Sequence, residues 1–131
     1  MDWRKYLYQR MSLDQALLED IPSDNLHAAG SLQYPPSERP FLVIRTGNEQ
    51  VSPGNISGTY QNAEIWVHDE PGSYQRIDLI LKRLQKLLVG QVVGYENAVA
   101  IDWVGDSGEL ADDLYGTITK VGSYRLVGRR S

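Results

Sequence analysis

Tyr74-Gln75-Arg76-Ile77-Asp78-Leu79-Ile80-Leu81-Lys82-Arg83-Leu84-Gln85-Lys86-Leu87-Leu88 is the stretch from which the rest of the chain can be read. Tyr74, Ile77, Leu81, Leu84 and Leu88 recur at helical spacing, and Ile80 and Leu87 widen the same stripe. At about 100° of rotation per residue, these side chains fall on one contiguous side of a helix. Pro71-Gly72 reads as a turn, Ser73 as the N-cap and Gly90 as the closing residue. Lys82, Arg83 and Lys86 gather where the helix dipole favours cations, and Asp78 is spaced to pair with Lys82. Each buried side chain of the stripe is worth roughly 1.5–3 kcal/mol, so the stripe must be covered. The predicted core is this helix laid on a sheet, with Tyr74, Ile77, Leu81, Leu84 and Leu88 docking it.

The strands come from both sides. Upstream, Phe41-Leu42-Val43-Ile44-Arg45 is an apolar run expected to be buried on both faces. Ala63-Glu64-Ile65-Trp66-Val67-His68 alternates, with Ala63, Ile65 and Val67 on one face and Glu64, Trp66 and His68 on the other. Gly47 to Gly58, rich in Gly, Pro and Asn, reads as a long loop between them. Downstream, Ala98 to Val104 predicts a third strand with Val99, Ile101 and Trp103 sharing a face. Gly105 to Asp113 is polar, acidic and turn-like. Tyr115 to Val127 is β-prone, with Gly122 expected at a bulge or bend between two pieces of strand.

At the N-terminus, Trp3, Tyr6, Leu7 and Met11 predict a short helix from Asp2 to about Arg10, and Leu13 to Ile21 a second, stopped by Pro22. Ser23 to Pro40 reads as an irregular connector. With only one strand–helix–strand unit, the expected class is α+β. An antiparallel or mixed sheet packs against the long central helix, with a short N-terminal helix beside it.

At 131 residues the chain is expected to be a single domain, 1–131, large enough for an unstapled core. With 41% hydrophobic and 23% charged residues it is too apolar for disorder. The net charge of −4 argues against gripping nucleic acid through a general positive field. The absence of cysteine excludes disulfides, thiolate nucleophiles and cysteine metal sites. Neither a signal-peptide core nor a membrane span is visible, so the expectation is a protein that stays in the cell making it or in a particle assembled there.

Patterns that carry chemistry are sparse. His27 and His68 stand far apart, which excludes an HExxH zinc site, and His68-Asp69-Glu70 reads as the polar end of a strand before a helix. Counted from Asp102, the glycine position of a calcium loop falls on Ser107 and its closing glutamate on Asp113, so that pattern fails. Gly105-Asp106-Ser107-Gly108 has no following lysine and is not a phosphate loop. No catalytic, metal or cofactor residue is predicted. The aromatic residues fall at core spacings without interleaved basic residues, unlike a stacking platform for single strands.

What stands out is the distribution of charge. Between Lys86 and Lys120 there is no basic residue but six acids: Glu96, Asp102, Asp106, Glu109, Asp112 and Asp113. Arg125, Arg129 and Arg130 then make the tail basic. Such asymmetry fits either two solvated faces or a docking code between copies. Leu79 projects among the cations of the predicted helix, either as an ordinary exposed leucine or as an anchor for a neighbour. Trp66, on the second face of its strand, is either covered or presented to a partner.

Arg39-Pro40-Phe41-Leu42-Val43-Ile44-Arg45 and the junction Glu64-Ile65-Trp66-Val67-His68-Asp69-Glu70-Pro71-Gly72-Ser73-Tyr74-Gln75-Arg76-Ile77-Asp78 resemble tail terminator proteins of long-tailed, siphovirus-type bacteriophages. The resemblance covers about residues 39–90, and the element order beyond them. It implies a structural protein without an active site or cofactor. Copies would form a hexameric ring that caps the tail tube, stops its polymerisation and offers a surface to head-completion or connector proteins. It also implies residence in the tail or neck of a virion assembled in the host cytoplasm, with DNA passing through the lumen without specific binding and no membrane. Tyr74 and Ile77 would dock the helix, and Asp78 would cap or pair locally.

A closed ring requires one patch complementary to a different patch on the next copy. The acids of 96–113 and the basic Arg125–Arg130 tail are candidates for that pair, and lumenal acids that repel passing DNA are another use of the charge. Competing readings are a head-completion component of the neck, a metal-dependent hydrolase built on the acids, and an antitoxin-like binding module.

Overall fold

A computed structural model describes residues 2–28, 36, 38–52 and 58–129. The described chain is an α+β fold in which three helices cover one face of an eight-stranded mixed sheet. Helix α1 (Trp3–Ser12) is capped by Asp2, whose side chain accepts from the Lys5 amide at 3.0 Å. It buries Trp3, Leu7 and Met11. Helix α2 (Gln15–Asp20) starts at Asp14, which accepts from the Leu17 amide at 3.1 Å. Both N-caps use a short acidic side chain to satisfy an amide that has no partner within its own helix.

A 3-10 turn at Ser23–Asn25 leads into β1 (Leu26–His27), which runs parallel to β2 (Phe41–Thr46). The connector expected from Ser23 onward therefore contains an edge strand. Two residues are too few to show a periodicity, so composition alone suggested a loop. The Asn25 amide nitrogen bonds the Pro40 carbonyl at 2.9 Å and ties the two ends of this segment together.

Strand β2 is fully buried from Phe41 to Ile44, as a central strand covered on both faces should be. It pairs antiparallel with β4 (Gly58–Asp69), Leu42 opposite Val67 and Ile44 opposite Ile65. The span expected as a loop carries β3 (Gln50–Val51), paired with Thr59 and Tyr60 of β4; residues 53–57 lie outside the described chain.

Helix α3 is Gln75–Leu88. The N-cap is Tyr74 and not the expected Ser73, which still accepts from the Gln75 amide at 3.2 Å just ahead of it; the helix ends at Val89, with Gly90 already opening β5 (Gly90–Gln91). Ile77, Ile80, Leu81, Leu84 and Leu88 are buried, and Tyr74 and Leu87 pack partly buried against them. The apolar stripe read from the sequence thus faces Ala63, Ile65 and Val67 of β4 and Tyr124 and Leu126 of the last strand. Asp78 does not pair with Lys82. Its carboxylate takes Lys120 of the sheet at 2.7 Å, a contact set by tertiary packing that local spacing cannot reveal.

Strand β6 (Ala98–Asp106) and β7 (Leu110–Asp112) both lie on one side of β8 (Thr117–Arg129), antiparallel to it. Ile101 and Trp103 share a face, opposite Leu126 and Tyr124, whereas Val99 falls in a register shift between Ala98 and Ala100. The segment expected to be turn-like holds β7, because its backbone finds partners on β8 despite a polar composition. Gly122 marks no break in β8, which is continuous over thirteen residues. The irregularity lies across the ladder, between Trp103 and Gly105 of β6. Position 122 is instead tight for a side chain. A Cβ there would stand 3.2 Å from Asp106 Oδ1 and 3.3 Å from both Leu81 and Tyr124. The sheet order is β1-β2-β4-β8-β6-β5, with β3 and β7 as short additions.

The second sheet face has a smaller core at one end. Phe41 stacks on His68 with ring centroids 4.7 Å apart, and Tyr115 sits edge-on to both. Val43 completes this cluster, with Trp66 packed at its margin. Arg39 holds the turn that carries Tyr115, donating to the Tyr115 carbonyl at 2.7 Å and the Gly116 carbonyl at 3.3 Å.

Candidate interaction surface

The chemistry-bearing residues first have to be sorted into those the fold uses and those it leaves free. His68 is used. It is 2% exposed, its Nδ1 lies 2.8 Å from Thr117 Oγ1, and burial pushes its pKa down to about 4. Asp69, one residue on, lies on the opposite side of the sheet and holds Arg76 through two bonds of 2.8 and 2.6 Å. The His68-Asp69-Glu70 trio therefore points in divergent directions. Among the described residues no three His, Asp or Glu side chains come together as a metal-ligand set.

The acids predicted as a patch are gathered by the sheet. Strands β6 and β7 run end to end along β8, so Asp102, Asp106, Glu109, Asp112 and Asp113 string along one side of it, Asp102 next to the part of β6 that β5 covers and the others beyond it. Where the edge breaks, Ser107 spans the gap: its amide donates to the Val121 carbonyl at 2.8 Å, and its Oγ accepts from the Val121 amide at 2.9 Å. Two of the acids are engaged. Asp106 accepts from the Trp103 indole at 3.1 Å, and Asp112 accepts from the Tyr115 amide at 3.0 Å. Glu109 and Asp113 are exposed, and among the described residues neither forms an ion pair.

Exposed apolar side chains accompany these acids. Trp103, Val104, Leu110 and Leu114 stand 43%, 59%, 39% and 81% exposed. Sequence reasoning missed Val104, Leu110 and Leu114 as surface features. Their signal was present only as isolated apolar residues among acids, and it is the alignment of β7 with β6 that brings them to the same side of β8.

The predicted basic residues separate. Arg125 lies over the Tyr60 ring at 5.2 Å and opposite Asp102 in the ladder, and so faces charge within its own sheet. Arg129 is exposed at the far end of β8. The distance along the strand from Thr117, opposite Asp112, to Arg129 is roughly 40 Å. Arg129 cannot neutralise the acids of the β7 end within one molecule. Arg130 lies outside the described residues.

Leu79 is 52% exposed on α3, as its spacing implied. Four cations decorate this helix, and two are taken: Arg76 by Asp69, and Arg83 by Asp14 at 2.8 and 2.7 Å. Lys82 and Lys86 remain exposed, without an ion pair among the described residues, and line an open groove with Gln85 and Val89. Trp66 is half-buried on the second sheet face, with Arg45 lying 5.3 Å over its ring and its indole donating to Glu64. It is covered more than it is presented.

No family model matches the sequence, and no curated protein does. The fold is found in a solved assembly. A chain in the virion of a native gene transfer agent (GTA) particle superposes with a TM-score of 0.73 over 96% of this chain and 93% of that one, at 13% identity. The match spans both chains nearly end to end, so the sheet and its helical cover are shared as a unit.

Proposed function

We propose that this chain is a structural protein of a virion and serves as a tail terminator, a ring of identical copies that caps the tail tube and halts its growth. The observation that carries the proposal is the end-to-end likeness to a chain of a virion. The resemblance of residues 39–90 to tail terminators narrows the role from virion component to ring. Surface charge is consistent with this. Among the described residues Glu109 and Asp113 form no ion pair, and a ring brings a different part of the next copy against them.

In this reading the free rims of the ring meet the tube on one side and a head-completion protein on the other. The decisive experiment mixes the purified chain with preformed tail tubes and with tube subunits. The expected result is a single ring at one tube end in negative-stain images, and tubes that no longer elongate. Binding to the head side alone, with tubes left growing, would replace this reading with a head-completion role.

A further inference from the structure

The ring reading leaves open which surface of the next copy faces the acidic edge. We infer that it is the outer stripe of α3, with Leu79 and Val89 meeting the apolar residues of the β6–β7 edge while Lys82 and Lys86 meet Glu109 and Asp113. This inference rests on the ring reading and specifies its interface.

Three observations lead there. The first concerns what the edge rejects. An open strand edge ordinarily recruits another strand, but here a register shift at Trp103/Gly105 and the gap at 107–109 interrupt the ladder. The row of acids further repels an identical edge, which removes a symmetric edge-to-edge pairing. What remains is docking through side chains by a surface of opposite charge.

The second is the supply of such surfaces. Leu79 and Val89, 52% and 41% exposed, stand at the two ends of a stripe that holds Lys82 and Lys86 between them. Arg125 is held over Tyr60, and Arg10 is bonded to the Leu87 carbonyl at 3.2 Å. The α3 stripe, cations between exposed apolar side chains, matches the composition of the edge, where acids are interspersed with Trp103, Val104, Leu110 and Leu114, with the sign reversed.

The third is place. The stripe lies on the outside of the helical layer, whereas the edge lies at the side of the sheet. Two different surfaces that complement each other make a head-to-tail contact, the kind that closes a ring.

The test uses the full chain in sedimentation velocity at low salt, with three variants and a control. Lys82→Glu/Lys86→Glu and Glu109→Lys/Asp113→Lys should each raise the concentration needed for assembly by about tenfold or more. Combining all four substitutions should restore assembly, because the charges are exchanged rather than removed. Arg129→Glu should leave assembly within about twofold of the unaltered chain, as expected of a charge outside the contact. The inference is overturned if the four-fold variant is worse than either double, or if Arg129→Glu disrupts the ring while the α3 variant does not. In both cases the ring reading survives. An unaltered chain that stays monomeric at every concentration and beside tail tubes would overturn both.

Discussion

Arg83 of α3 clasps the Asp14 carboxylate through Nε and Nη2, at 2.8 and 2.7 Å, and so fastens the start of α2 to the middle of α3. The same carboxylate caps α2 by accepting from the Leu17 amide. The Arg83 guanidinium, helped by that amide, holds the Asp14 carboxyl below its ordinary range. Replacement by asparagine keeps a cap and loses the charge, and replacement by alanine loses both. Asp14→Ala is expected to destabilise by about 1 kcal/mol for the cap alone, with the lost clasp added.

The pH dependence of that clasp has a definite sign. A carboxyl whose folded pKa is depressed contributes stability above its unfolded value of about 3.9, and that stability is lost as pH falls through the folded value. The difference in urea midpoint between the unaltered chain and Asp14→Asn should stay constant from neutral pH to about 5 and close below about 4.

His68 gives a second pH signature in a higher window. Its folded pKa of about 4 lies below the unfolded value of about 6.5. Between these values the unfolded chain binds the proton and the folded chain does not. Stability should fall as pH drops from about 6.5 to about 4, by at most about 1.4 kcal/mol per pH unit. Tyr115→Ala removes the ring that lies edge-on to His68. In that variant the His68 resonance should titrate closer to 6.5 in NMR. An unchanged titration would show that Tyr115 does not exclude water from the imidazole.

Gly122 should resist any side chain. The Cβ of Gly122→Ala would press on Leu81 and Tyr124, both buried, and on Asp106, which the Trp103 indole holds. A loss of about 1–3 kcal/mol is expected for alanine and more for valine, read from urea denaturation.

The two leucines of α3 offer a direct contrast. Leu84 is completely buried, and Leu84→Ala should cost about 2–5 kcal/mol. Leu79→Ala should change the stability of the isolated chain by no more than about 0.5 kcal/mol. If Leu79→Ala destabilises the protomer strongly, its role lies within the fold and not between copies.

What could be read before the fold was known follows from the length scale of each signal. The α3 stripe and the alternation of Ala63 to His68 repeat several times in succession, so they identify an element, its buried face and the opposite face without reference to anything distant. Phe41 to Ile44 was legible for the same reason. Strand β1 is two residues long, too short for a period to register. Strand β7 is three residues set in a polar, turn-like run, and it pairs because β8 offers it a backbone. Lys120, not Lys82, reached Asp78 because the sheet placed a lysine closer than the helix did. The acids were visible as a run, but whether they formed a line or scattered depended on the β6–β7 alignment. Leu110 and Leu114 joined them only through that alignment. The tail arginines were separated from them for a comparable reason, the span of β8.

The gap at 107–109 has a practical side. Ser107 is pinned to Val121 through both its amide and its hydroxyl, and Leu110 re-enters the ladder opposite Thr119. Between these anchors Gly108 is exposed, and a Cβ added to it would meet nothing within 4 Å. A short peptide spliced in at Gly108 would loop out while β8 keeps its partners on either side, so the protomer would stay folded with a bulky obstacle beside Glu109, a way to block assembly without unfolding the subunit.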